Sequence, residues 1–207
     1  MKESTFPWEH WRKRLCEAGL LLLHFARNPI AGMRHLPDWD WPFLLVCQAI
    51  AAATCGVAAG ITAHSLGSIF AGLIFTPISN ALITAVLSGF FYYTFGFVLH
   101  KPTPFHKIYT HMVFAQIPAL LLWTVTPLLP PLILLGSAAT GLLLLVGFVD
   151  NFGLPRRTMI RLLAGIYMVF VIFWISSAIN QRRQVEVFRD KATPESLDIL
   201  EKELNDN

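Results

Sequence analysis

The chain has 207 residues, of which 55% are hydrophobic and 14% are charged, and its mean hydropathy is +0.55. This composition excludes an ordinary soluble domain. The net charge of +3 is small and the basic residues lie in separate clusters, so no nucleic-acid partner is expected. The predicted environment is the lipid bilayer.

The first 40 residues mix charged and aromatic side chains and precede the apolar part of the chain. Hydrophobic residues recur here at alternating steps of three and four, at Trp8, Trp11, Leu15, Ala18, Leu22 and Phe25. This spacing predicts an amphipathic helix that lies in the lipid headgroup region, with packing on the rest of the protein as the alternative. The predicted interfacial contacts are Trp8, Trp11, Arg12, Lys13 and Arg14. Pro29 is expected to end the helix.

Between Asp40 and Lys101 the chain contains no Lys, Arg, Asp or Glu, which leaves room for two membrane-spanning helices. Three further apolar stretches follow, separated by short links. The pattern predicts an all-α, polytopic membrane helical bundle with five spans, at about residues 43–63, 68–99, 108–125, 132–149 and 162–179. The membrane domain is therefore expected over residues 41–180. The charged tail, residues 181–207, is predicted to be helical from Pro194 to Leu204.

The distribution of basic residues predicts the orientation. Residues 1–40 and the links 100–107 and 150–161 hold six, two and three Lys or Arg, whereas the links 64–67 and 126–131 hold none. Basic loops are retained on the cytoplasmic side of a membrane. We therefore expect a cytoplasmic N-terminus and a C-terminus on the far side.

Two features of the predicted spans concern helix packing. Gly56 and Gly60 form a GxxxG spacing in the first span, which favours close packing within the chain over dimerisation. The second segment is longer than one crossing requires. Pro77 lies inside it, so a bent or broken helix is expected, with a first part that could be re-entrant.

A candidate intramembrane site combines polar side chains with the expected kinks. Its members are Thr76, Pro77, Ser79, Asn80, His111, Gln116 and Pro118. Broken helices with polar side chains can form substrate sites near the middle of a membrane. They serve equally well as hydrogen bonds between helices, and no carboxylate accompanies them, so the structural interpretation is favoured.

Catalytic chemistry has little support in the sequence. No carboxylate, Lys or Arg lies clearly inside a span, and Asp150 and Arg161 fall at span ends, where capping and anchoring are the simplest roles. Nucleophile and metal-binding spacings are missing. We therefore predict that the protein is not an enzyme and has no catalytic residue, cofactor or metal.

Four segments follow one another in a characteristic order: Asn28-Pro29 with Gly32-Met33, the stretch Ser68–Ile78, the stretch Pro104–Tyr109 with Val113–Ala115 and Pro118, and the stretch Phe152–Arg157. Together they resemble the Yip1-domain family of small five-span membrane proteins. The likeness covers roughly residues 28–180. It rests on the order and spacing of the four segments, since each consists mostly of Gly, Pro and apolar residues.

The resemblance implies a helical bundle with a cytosolic N-terminus. Eukaryotic members of the family are linked to vesicle traffic, to Golgi and endoplasmic-reticulum membranes and to Rab GTPases. The chain lacks their long N-terminal cytosolic region and their Asp-Leu-Tyr-Gly-Pro-type motif, which favours a bacterial-type member. Bacterial members are inner-membrane proteins, so the resemblance implies a place in a bacterial cytoplasmic (inner) membrane. The leading hypothesis is a non-enzymatic scaffold or membrane-organising protein that binds a membrane-protein partner or a second copy of itself. The alternative is a transporter for a small solute or a lipid that uses the kinks at Pro77/Asn80 and Pro118/Gln116.

Overall fold

A computed structural model of the chain describes residues 8–191, without the side chains of residues 8–11, 13, 26 and 181–191. No strand occurs in this part of the chain. The helices are α1 (Trp8–Arg27), α2 (Pro29–Arg34), α3 (Trp41–Thr62), α4 (Leu66–Tyr93), α5 (Phe105–Ala115), α6 (Ile117–Trp123), α7 (Leu132–Phe152) and α8 (Arg156–Lys191), with a π-helical turn at Thr94–Val98 after α4. The predicted all-α class is confirmed.

Four helical stretches are long and apolar enough to cross a membrane: Trp41–Thr62, Leu66–Val98, Leu132–Phe152 and Arg156–Asn180. They correspond to the first, second, fourth and fifth predicted spans. The third predicted span, residues 108–125, is not one long helix. It consists of α5 and α6, which meet at Gln116. The count of five spans is therefore not confirmed by helix length.

Proline explains the interruption between α5 and α6. Pro118 lies in the first turn of α6, where its missing N–H removes no helical hydrogen bond. The helix is therefore interrupted at the predicted position, next to Pro118. At Pro77 the expected break is wrong, because α4 continues as one α-helix of 28 residues across this proline. A bend at Pro77 and a re-entrant first part of α4 stay predictions.

Glycine allows α3 and α4 to pack with their backbones in contact. A Cβ atom on Gly56 would lie 2.3 Å from the carbonyl oxygen of Gly72, and a Cβ on Gly72 would lie equally close to the carbonyl oxygen of Gly56. A Cβ atom on Gly60 would likewise lie 2.6 Å from the backbone nitrogen of Ile69. Small residues permit such close approach. The prediction that the GxxxG spacing serves packing within the chain is confirmed.

Together, α5 and α6 run along the length of α3. At the start of both, the rings of Trp41 and Phe105 are stacked with centroids 5.9 Å apart. At the far end, the Thr62 hydroxyl donates to the carbonyl oxygen of Thr124, just after α6, at 2.9 Å. Since α3 has 22 residues, this path measures about 33 Å at 1.5 Å per residue. The broken pair therefore has the reach of a single membrane-spanning helix.

The predicted hydrophobic stripe of α1 faces protein over the part whose side chains are described. Ala18 and Phe25 are buried, and the ring of Phe25 lies 5.6 Å from that of Phe114. Leu15 and Leu22 are half-buried. The structure therefore supports packing on the protein, the alternative to a helix lying in the lipid headgroups.

The chain divides into two units, residues 1–164 and 165–207. The second unit begins within α8, and its described part is helical up to Lys191. The helix predicted over Pro194–Leu204 lies outside the described residues. Every contact used below lies in the first unit.

Candidate functional site

Thr84 is the centre of a buried hydrogen-bond network between the apolar helices. Its side chain is fully buried on α4, and its hydroxyl donates to the carbonyl oxygen of Asn80 at 2.6 Å. The same hydroxyl accepts from Nε2 of Gln48 on α3 at 3.0 Å and from Nε2 of Gln116, at the α5–α6 break, at 2.9 Å. A hydroxyl has one donor and two acceptor positions, and all three are used here.

Tyr109 extends this network to α5. Its hydroxyl donates to Oε1 of Gln48 at 2.7 Å, and both side chains are buried. We call Gln48, Thr84, Tyr109 and Gln116 the polar clamp. The clamp joins three helices to the α5–α6 break through side chains that bind one another, which is how polar groups are usually accommodated in an apolar interior.

The structure brings only part of the predicted intramembrane site together. Gln116 belongs to the clamp. Asn80 contributes its carbonyl oxygen, while its Nδ2 atom is buried without a hydrogen-bond partner among the described residues. Thr76 is buried against Gly56, with its hydroxyl 2.7 Å from the position of a Cβ on that glycine. Ser79 is exposed on the outer face of α4.

Pro77, Pro118 and His111 also lie apart from the clamp. The two prolines are half-buried, and only Pro118 lies at an interruption of its helix. His111 belongs to a second network, described below. The predicted site is therefore not one cavity, and its seven members have at least three different roles.

Sequence reasoning missed three clamp residues: Gln48, Thr84 and Tyr109. Two of them carried a usable signal. Gln48 is the only Asn or Gln in its apolar helix, and Thr84 follows Asn80 by four residues, which places both on one helix face. Their pairing across helices depends on the packing of α3 against α4, which a single sequence does not specify.

His111 organises a second network at the end of the bundle where α3 and α5 begin. Its Nδ1 atom lies 2.7 Å from the carbonyl oxygen of Lys107, and its Nε2 lies 2.7 Å from Nδ2 of Asn151. Asn151 Nδ2 also donates to the carbonyl oxygen of Met33 at 2.8 Å. These contacts assign the ring proton to Nδ1, because Nε2 must accept from an amide. They connect α5, the end of α7 and α2.

Charged groups surround this network, and we call this the charged end of the bundle. Arg34 Nε donates to Oδ2 of Asp150 at 2.7 Å, and both side chains are substantially exposed. Lys101 Nζ donates to the carbonyl oxygen of Gly153, whose left-handed conformation ends α7. Asp150 thus anchors α2 through Arg34, in keeping with the structural role expected for it. At the opposite end, the segments 63–65 and 124–131 carry no Lys, Arg, Asp or Glu.

The predicted interfacial residues of α1 divide into three groups. Arg14 does not project freely, because it pairs with Asp40 at 3.1 Å and lies 4.6 Å above the ring of Phe43. Arg12 is exposed. The side chains of Trp8, Trp11 and Lys13 lie outside the described residues.

The chemistry available at these places is hydrogen bonding and charge pairing. Within the part of the chain that the structure describes, no three His, Cys, Asp or Glu side chains are grouped so that they could hold a metal ion. The clamp holds neutral groups, and the charged groups lie at the end of the bundle.

These features define a membrane-embedded helical protein whose helices are joined by an internal polar network. Comparison with known proteins goes no further, since no family model, curated protein or solved structure matches the chain.

Proposed function

We propose that the protein is a non-enzymatic scaffold of the Yip1-like type, with five membrane crossings and a contact surface for a membrane-protein partner or a second copy at its charged end. The observation that carries this proposal is the polar clamp. Gln116, which a carrier would turn toward its solute, here binds Thr84. The amide groups hold helices together, which suits a bundle of fixed shape.

The fifth crossing in this proposal is the broken pair α5–α6. Its support is the path of the pair along α3, from Trp41 to Thr62. The polar residues of α5 are also accommodated inside the bundle, where Tyr109, Thr110 and His111 are buried. With five crossings, the three basic segments share one side of the membrane, in agreement with the positive-inside rule. That side is the cytoplasmic side of a bacterial inner membrane in this proposal.

Cysteine labelling tests the fifth crossing. Single cysteines at Pro102, Leu128 and Leu66 are introduced after replacement of Cys16, Cys47 and Cys55 by alanine. With five crossings, a membrane-impermeant maleimide labels Leu128→Cys and Leu66→Cys from the outside of spheroplasts, and Pro102→Cys only in inside-out vesicles. Labelling of Leu128→Cys from the same side as Pro102→Cys would leave four crossings.

Photo-cross-linking in native membranes tests the scaffold. A photoreactive residue at Asp38 or His100, both exposed at the charged end, is expected to give a discrete protein adduct, while the same residue at Leu129, exposed at the opposite end, gives none. Adducts identified by mass spectrometry distinguish a partner from a second copy. The absence of a discrete adduct at the charged end would contradict the scaffold.

The transporter is the second candidate, and the unpartnered Nδ2 atom of Asn80 favours it. Asn80→Leu separates the two within the same experiment. If the protein is a scaffold, the Asn80→Leu variant forms the same adducts at the charged end and supports growth as the wild-type gene does. Loss of growth with unchanged adducts would favour the transporter.

A further inference from the structure

A basic groove lies at the charged end of the bundle. It has a volume of about 620 Å³ and is open to the surroundings on one side. Its walls come from the segment between α2 and α3, from residues 100–104, and from the facing ends of α5 and α7. Arg34, Lys101 and Lys107 line it together with the carboxylate of Asp38, and Arg34 is paired with Asp150, so the groove keeps a net positive charge. The groove is therefore suited to an anion.

The basic side chains of this groove include Arg34, which an ion pair holds in place, and some of their N–H groups have no hydrogen-bond partner among the described residues. Arg34 is held by Asp150 through Nε alone, so the two terminal nitrogens of its guanidinium have no hydrogen bond to other described residues. Lys107 forms no ion pair in the described part of the chain and lies in the first turn of α5, whose positive dipole end adds to its charge. Guanidinium and ammonium groups arranged in this way bind phosphate.

An apolar groove adjoins the basic groove. Its volume is about 520 Å³, and it is lined by Tyr92, Phe97 and Phe105 around Gly96. The segment Pro102–Pro104 is a wall of both grooves. A Cβ atom on Gly96 would meet no other atom within 4 Å, so the glycine leaves this groove open. An aromatic groove does not bind a free phosphate, but it can hold an acyl chain of a phospholipid.

We propose that the charged end binds one anionic phospholipid, with its phosphate group between Arg34, Lys101 and Lys107 and an acyl chain in the groove at Gly96. This site is separate from the polar clamp and does not depend on the scaffold proposal. The aromatic side chains Trp41, Tyr92 and Phe105 near the groove suit the level of the membrane–water interface, where phosphate groups lie.

Native mass spectrometry of the full chain, released from nanodiscs that contain equal parts of phosphatidylglycerol and phosphatidylcholine, tests the site. We expect one retained phosphatidylglycerol on the wild-type protein. Lys101→Gln with Lys107→Gln should weaken binding by about fivefold for each lysine removed, as expected for basic residues at a membrane surface. The matched control is Arg156→Gln with Arg157→Gln, which removes two exposed charges just beyond Gly153 and outside the groove.

A second pair of variants separates a lipid from a soluble phosphate. Gly96→Leu fills the apolar groove and should reduce lipid retention, whereas Gly89→Leu, at another open glycine, should not. If the lysine pair and the arginine pair of variants lose equal amounts of bound lipid, the binding is general electrostatic attraction, and the proposed site is overturned. If glycerol 3-phosphate competes fully with the lipid and Gly96→Leu leaves lipid retention unchanged, the lipid assignment is overturned in favour of a soluble phosphate. Absence of any bound anion would overturn the site.

If Lys101→Gln disturbs folding through its bond to Gly153, Lys107→Gln alone retains the test, because Lys107 is exposed and its side chain makes no hydrogen bond to another described residue. A correctly folded Lys107→Gln protein that retains phosphatidylglycerol as the wild type does would likewise contradict the proposal.

Discussion

Replacement of Gly56 and Gly72 together by alanine is expected to destabilise the protein by about 3 kcal/mol or more, at the upper end of the usual effect of overpacking. Each new methyl group would lie 2.3 Å from a backbone carbonyl oxygen of the facing helix. A backbone atom cannot rotate away as a side chain can, so α3 and α4 must move apart. That movement also lengthens the contact between Gln48 and Thr84. Unfolding in mixed micelles of rising dodecyl sulfate content, followed by circular dichroism, measures the loss.

Gly89→Ala is the matched control for this prediction. Gly89 lies on the same helix as Gly72, but a Cβ there would meet nothing within 4 Å. Alanine is the better helix former by up to about 1 kcal/mol. This variant should therefore be as stable as the wild type or more so. Equal destabilisation at both positions would show that the close approach of α3 and α4 is not what the glycines provide.

Thr84→Val is expected to cost about 2 kcal/mol, although the side chain keeps its shape. The substitution removes the oxygen that accepts from both Gln48 and Gln116, and it leaves their amide groups buried without this partner. Unsatisfied buried donors cost about 1–3 kcal/mol in proteins generally. Hydrogen bonds between membrane helices contribute less, about 0.6 kcal/mol on average, but here two buried donors lose their acceptor at once, so we expect a value in the middle of the first range. The same micelle titration measures it.

Two comparisons make this result specific. Thr140→Val removes a hydroxyl that bonds only to the carbonyl oxygen of Gly136 in its own helix, and it should change stability by less than about 0.5 kcal/mol. Thr84→Val combined with Gln48→Met and Gln116→Met should recover most of the lost stability, because few polar groups then remain unpaired. A triple variant that is less stable than Thr84→Val would mean that the two amide groups stabilise the protein through other contacts.

Much of the fold follows from the sequence, because length and hydropathy are local properties. The absence of charge between Asp40 and Lys101 located α3 and α4, and the apolar stretches after Pro131 and Arg161 located α7 and the apolar part of α8. The missing break at Pro77 has a physical reason. Proline has the same chemistry at positions 77 and 118, but only at 118 is it the first-turn residue of a new helix.

The candidate site was harder to predict, because it depends on pairs of distant residues. Asn80, Gln116 and His111 were recognised as polar, but polarity does not determine the partner. Gln116 meets Thr84 across 32 positions, and His111 meets Asn151 across 40. Hydropathy also conceals the α5–α6 pair, because its histidines, tyrosine and glutamine lower its average. Tyr109, His111 and Gln116 have hydrogen-bond partners inside the bundle.

The uncharged end of the bundle bears on the electrical work of membrane insertion. A membrane potential of 100 mV does about 2.3 kcal/mol of work on each elementary charge that crosses it. The segments 63–65 and 124–131 carry no Lys, Arg, Asp or Glu, so with five crossings their transfer is almost independent of the potential. With five crossings the charged end remains on the cytoplasmic side, but the tail, residues 181–207, must cross with five Lys or Arg and seven Asp or Glu. Insertion of α3 to α7 should therefore proceed equally well in de-energised and energised membranes, and only the transfer of the tail should depend on the potential.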